Sequence, residues 1–237
     1  MDRTSRMKAI LLFVAALTFA AAPMATPGFG GYDPSNFPIH LDDPAILPAG
    51  YAFAIWAVIY AGLVVHAGFG LFARAEDVAW DGPRWPLFGS LALGASWLMV
   101  AMANPVMATL QIWVMTVLAL VALFRAPRIP DRWLLLGPIA LYAGWLTAAS
   151  CVSLGVVLIG HGIMGEMAAS LAMLALALAI AFTVQTRLAR APEYGVAVIW
   201  ALAAIIVANA GEGLVVPVVC LAGIILMVGA ARRAALA

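Results

Sequence analysis

The sequence predicts an all-α, polytopic transmembrane helical bundle of about eight helices, and three observations lead there. Hydrophobic residues make up 66% of the 237-residue chain and charged ones only 10%, which leaves too little polar surface to coat a water-soluble globule. The apolar runs are continuous and long enough to cross about 30 Å of hydrocarbon, unlike the alternating pieces of about ten residues that a membrane barrel uses. Charge supplies the third observation. With the first helix starting inside, all 12 Lys and Arg residues fall on one side of the map, as the positive-inside rule expects of short loops.

The first span covers residues 7–25 and begins among Arg3, Arg6 and Lys8. The same basic start, the run from Ala9 to Ala22 and the small residues near Ala25 also describe a secretory signal peptide, whose removal would leave seven spans and an outer N-terminus. A long loop follows from Thr26 to Leu47, with Phe29, Tyr32, Phe37 and His40 set among Gly, Pro and Asp. It is either a lid over a pocket or a tether lying on the headgroups.

The remaining spans fall at 48–72, 85–103, 106–124, 132–156, 165–185, 194–209 and 213–231. Under this map Arg74, Arg84, Arg125, Arg128, Arg132, Arg187, Arg190, Arg232 and Arg233 join both termini on the cytoplasmic side. Asp33, Asp42, Asp43, Glu166 and Glu212 lie outside. The expected location is a bacterial-type inner (cell) membrane. Ser90 and Gly94, four residues apart, and Gly62, Gly68 and Gly70 within one helix mark places where helices pack closely.

Several function classes drop out. A net charge of +1 with no basic tract argues against nucleic acid as a partner. Cys151 and Cys220 sit in apolar stretches without His or Cys at metal-ligand spacing, which makes them packing residues. No nucleophile is paired with a base at helical spacing, and neither HExxH nor a Gly-rich phosphate loop occurs.

The Trp residues carry the most information. Trp80, Trp85 and Trp133 lie at cytoplasmic helix ends and read as interfacial belt residues. Counting about 1.5 Å of rise per residue brings Trp56, Trp97, Trp113 and Trp145 to a similar level in the outer half. Tyr60 follows Trp56 by four residues and Tyr142 precedes Trp145 by three, so each pair shares a helix face. The arrangement suits either a cage for a large, flat, mostly apolar ligand or an aromatic packing cluster that binds nothing.

At these residues the chain resembles the translocator protein family, also called tryptophan-rich sensory proteins (TspO/MBR). The run PAGYAFAIWAVIY from Pro48, with Trp56 and Tyr60, is similar to the family's second-helix signature. LALGASW from Leu91 to Trp97 is similar to its Leu-x-Leu-Asn-x-x-Trp, and GPIALYAGWLTAAS, with Pro138, Tyr142, Trp145 and Ala149, to its Pro-Tyr-x-x-Trp-x-x-Phe-Ala. The resemblance implies a five-helix unit that binds porphyrins, sterols and aromatic drug-like ligands beneath the first loop. It spans residues 1–156, and residues 157–237 form a three-helix extension that either packs beside the pocket or supplies the surface of a homodimer. The chain departs from the family at Gly94 and Ser153, where Asn is expected, and at Tyr51, a shifted counterpart of a family Trp. The cholesterol-recognition pattern at the end of the fifth helix is also missing.

The expected ligand-binding set is therefore Tyr32, Tyr51, Phe53, Trp56, Tyr60, Trp97, Trp113, Tyr142 and Trp145. The expected function is a sensor, carrier or scavenger of a porphyrin or similar flat hydrophobic molecule, with haem as one form of it. No cofactor is required and the lipid bilayer is the other partner. Porphyrin photochemistry enters by resemblance only. The alternative is a small-solute or ion-coupled transporter using Glu166 and Glu212, with His161 beside them. His66 is either a haem-iron ligand or proton carrier, or a hydrogen-bonded structural residue.

Overall fold

The computed structural model describes residues 3–26, 29–41, 43–128, 131–211 and 213–236, so Asp42 and Glu212 lie outside the described residues. Its long helices are α1 (Arg3–Ala25), α2 (Ile55–Phe72), α4 (Arg84–Ala103), α5 (Pro105–Arg125), α6 (Arg132–Gly160), α7 (Glu166–Leu188), α8 (Pro192–Ala208) and α9 (Val215–Leu236). A short helix α3 (Val78–Asp81) precedes α4, and 3-10 turns occur at Pro34–Asn36 and Gly50–Ala54. The chain is a multi-pass membrane protein with the predicted eight long helices. Seven candidate spans are long and apolar enough to cross a bilayer, whereas α8, with 17 residues, is apolar but shorter.

Local chemistry sets the boundaries. Asn104 breaks the chain between α4 and α5: its backbone is extended, its side chain accepts the Met107 N–H at 3.0 Å, and Pro105 follows at the first helical position. Asp77 caps α3 in the same way through the Ala79 N–H. Pro192 opens α8, and α7 closes through Ala189 in the left-handed region at φ 43°.

α6 is the hub. Its most apolar stretch is 78% buried, against 28–44% for the other spans. It packs on α2, α5, α7 and α8, while α1 lies against α2 and α4, and α9 against α7 and α8. Gly144 allows the α6–α8 crossing, because a Cβ there would run into the Tyr194 backbone carbonyl. One continuous core joins Leu12, Ile59, Leu91 and Leu146 to Leu202, Ile205 and Met227 of the last helices. Val14, Val58, Val114, Val117, Leu221 and Ile225 are exposed, as side chains solvated by lipid would be.

The charged end is tightly knit. Arg84, only 2% exposed, donates to the Ser5, Gly70, Arg74 and Ala75 carbonyl oxygens, and Lys8 pairs with Asp81 at 2.6 Å. Arg74–Asp131 and Arg132–Glu193 add two further pairs at 2.7 and 2.8 Å. Trp85 and Trp133 are exposed here as expected, but Trp80 is 1% exposed and stacks on His66 with ring centroids 5.3 Å apart. The expectation of an interfacial Trp80 is thus corrected: the short helix α3 folds its indole inward against α2. His66 is itself buried and hydrogen-bonded through Nδ1 to the Leu134 carbonyl oxygen at 2.9 Å.

Candidate ligand-binding site

At the opposite end of the bundle the helices splay around a cavity of about 980 Å³, at the upper end of the roughly 300–1,000 Å³ usual for small-molecule sites. The first loop roofs it with Phe29, Tyr32, Leu41 and the stretch from Asp43 to Gly50, leaving out Ile46. Phe53 lies in the 3-10 turn that leads into α2, Trp97 comes from α4 and Ile112 from α5. The α6 wall presents Trp145, Ala148, Ala149, Val152, Ser153 and Val156, and α8 presents Ala201, Ile205 and Ala208. Two exposed carboxylates, Asp43 and Glu166, and the side chain of Asn209 also border it.

The roof is held by specific bonds. Tyr32 Oη lies within hydrogen-bond distance of Ser153 Oγ and, at 3.2 Å, of Thr109 Oγ1, and those two hydroxyls are 2.6 Å apart. The three groups tie the loop to α5 and α6. Burial pushes the Tyr32 phenol above its ordinary value, while the bonds to Ser153 and Thr109 pull it back. Asp33 caps the adjacent 3-10 turn, and the Ser35 backbone N–H holds its carboxyl below the usual range. The far end of the loop is fastened by Ala45 N–H to Glu166 Oε1 at 3.1 Å and by Asn209 Nδ2 to the Ala45 carbonyl at 2.8 Å. The Ala49 N–H adds a bond to the Ala204 carbonyl in α8 at 3.0 Å.

Of the nine expected ligand-binding residues, Tyr32, Phe53, Trp97 and Trp145 line the cavity. Trp97 donates its Nε1–H to the Ala108 carbonyl at 2.9 Å and meets Phe29 edge-on at 5.5 Å. Trp145 is 3% exposed, and its Nε1–H has no partner among the described residues. Trp56, Tyr60 and Tyr142 stand one layer deeper. Trp56 stacks on Tyr60 at 5.2 Å, meets Trp145 edge-on at 6.1 Å, and all three deeper rings gather around Phe19. Tyr142 also shares a 2.8 Å hydrogen bond with Ser90. Trp113 packs into a separate cluster with Phe37, Val156 and Ile159, and Tyr51 lies edge-on to Trp200 at the surface.

Sequence reasoning passed over the α8 contribution. Trp200 donates to the Ala52 carbonyl at 2.9 Å, so α8 fixes the turn that delivers Phe53. A signal was present: a Trp in the middle of an apolar helix needs an acceptor for its N–H. Ser153, noted only as a departure from a family Asn, is the anchor of the roof. Glu166 borders the cavity while His161 caps the end of α6 through its bond to the Val157 carbonyl at 3.0 Å.

Comparison with known proteins places the chain in a family. A family model described as TSPO-like protein matches residues 8–232, so it runs through all eight long helices. No curated protein and no solved structure matches the chain. Membership of that family points to a membrane-embedded role in ligand binding or transport.

Proposed function

The chain belongs to the TSPO-like protein family, and on that premise we propose that it is a membrane-embedded sensor, carrier or scavenger of a porphyrin or similar flat hydrophobic ligand, held beneath the first loop. The observation that carries the reading is the meeting of Trp97 and Trp145 with Tyr32 and Phe53 around one cavity of about 980 Å³. Indole and phenyl faces supply stacking area for a planar ring system. The deeper column of Trp56, Tyr60 and Tyr142 stiffens the floor from below. In this reading the Lys- and Arg-bearing end faces the cytoplasm of a bacterial-type cell membrane, and the cavity opens toward the outer half.

Titration of the purified protein with protoporphyrin IX, followed by Trp fluorescence, tests it. Saturable quenching is expected, with the midpoint weakened about tenfold, roughly 1.4 kcal/mol, in Trp145→Ala. The same loss is expected in Trp97→Ala, whereas Trp113→Ala keeps the wild-type midpoint. Quenching that never saturates, or that is equally weakened in all three variants, rules the reading out.

A further inference from the structure

We infer that the cavity selects a lipophilic cation, a flat aromatic body bearing an amine or quaternary ammonium, over a ligand of the same shape that bears carboxylates. This rests on the binding reading above and names the charge of the ligand that the site takes.

Two features combine. The described lining holds five aromatic residues, Phe29, Tyr32, Phe53, Trp97 and Trp145, and two carboxylates, Asp43 and Glu166, with no Lys or Arg. Aromatic faces attract cations through the negative face of the ring quadrupole, and the attraction grows as water is excluded. A carboxylate brought into the same space finds no counter-ion, and unpaired burial of a charge is costly.

The two carboxylates also differ from most of those at the other end of the molecule, where Glu76 alone is likewise without an ion pair among the described residues. Asp77, Asp81, Asp131 and Glu193 each have an Arg or Lys within ion-pair distance. Asp43 and Glu166 take part in no ion pair among the described residues. Glu166 uses Oε1 to accept the Ala45 N–H, which leaves Oε2 to a ligand. Asn209 spends its Nδ2 on the Ala45 and Ile205 carbonyl oxygens, both at 2.8 Å, and so offers an acceptor rather than a donor. An acid in the first turn of α7 favours that helix through its dipole. That role accounts for Glu166 alone and not for Asp43, while the lack of Lys and Arg along the wall follows from the positive-inside distribution of charge and leaves the cavity without a cation to meet a carboxylate.

A charge series on one ring system tests the inference. Protoporphyrin IX carries two carboxylates, its dimethyl ester is neutral, and its bis(trimethylammonioethyl) ester is a dication of the same plane. Each is titrated against the full-length protein in zwitterionic nanodiscs, which offer no net charge of their own, with Trp quenching as readout. The dication is expected to bind at least tenfold tighter than the dicarboxylate at low salt, with the dimethyl ester between them. The gap should narrow several-fold at 0.5 M salt, where screening shortens to a few Å. The double substitution Asp43→Asn with Glu166→Gln should shrink it as well. Both changes keep the backbone: Asn tolerates the φ of 41° found at Asp43, and Gln retains an oxygen for the Ala45 N–H. Equal affinities for the three porphyrins, or tighter binding of the dicarboxylate, overturn the charge inference and leave the binding reading standing. Failure of all three to quench saturably overturns both. The wild-type salt series decides the matter even where the double variant does not fold.

Discussion

At the scale of single residues, Gly94 shows how little slack the aromatic column has. A Cβ at this position would stand 2.5 Å from Phe19 Cε2 and 3.1 Å from Met115 Cε, and Phe19 in turn supports Trp56, Tyr60 and Tyr142. Gly94→Ala is therefore expected to cost about 1–3 kcal/mol through overpacking, seen as a lower unfolding midpoint in detergent. An unchanged midpoint would mean that the Phe19 ring gives way freely. The sequence marked Gly94 as a departure from a family Asn and, with Ser90, as a place of close helix packing, but it could not name the partner ring, which comes from α1. Trp113 illustrates the same limit. Helical rise places it level with Trp97 and Trp145, yet depth says nothing about which way a ring points, and Trp113 joins a different cluster. Trp80 was misread for a related reason: a position near a helix end reads as interfacial until a short helix such as α3 turns it inward.

Among the elements, the first loop and α8 together shape the cavity. The loop could be read as lid or tether from its composition, and the contacts that make it a roof are hydrogen bonds to Thr109, Ser153, Glu166, Ala204 and Asn209. Such long-range bonds leave no local periodicity to read. Tyr32→Phe removes one side of the three-hydroxyl tie while sparing the Thr109–Ser153 bond, so limited proteolysis should cut the loop several-fold faster at pH 8. Alkaline pH should act through the same group. The folded value of Tyr32 is raised above its ordinary 10.0, so its stabilising contribution is complete below about pH 10 and is lost as pH rises through the folded value. Faster loop cleavage above pH 10 in the wild type, without a comparable rise in Tyr32→Phe, is the expected result; the same rise in both would acquit the phenol. The helix boundaries were largely legible because the spans are continuous apolar runs, several of them marked off by Asn or Pro, as at Asn104–Pro105 and Pro192. The packing of α8 on α6 was not, since it depends on the close approach at Gly144. Gly144→Ala should separate these helices and lower the unfolding midpoint by more than Gly94→Ala, because a backbone carbonyl cannot rotate away as a ring can.

Across the whole molecule the charge pattern is the strongest feature carried from sequence to structure. Alternating helix direction gathers the Lys and Arg residues at one end, where Arg84 closes four backbone carbonyls, and leaves the cavity at the other. Arg84→Ala strips those carbonyls of a buried charged donor and should cost about 3 kcal/mol or more. Its effect on ligand affinity in the protein that still folds should be small, since the two ends do not touch. The central claim is that a flat ligand sits between the first loop, α6 and α8. Photolabelling with a porphyrin that carries a diazirine, followed by peptide mapping with and without excess unlabelled ligand, tests it most directly. The account predicts competed adducts within residues 29–53, 145–156 and 201–209. Adducts confined to lipid-facing positions such as Val58, Val114 and Ile225, and not displaced by competitor, would contradict it.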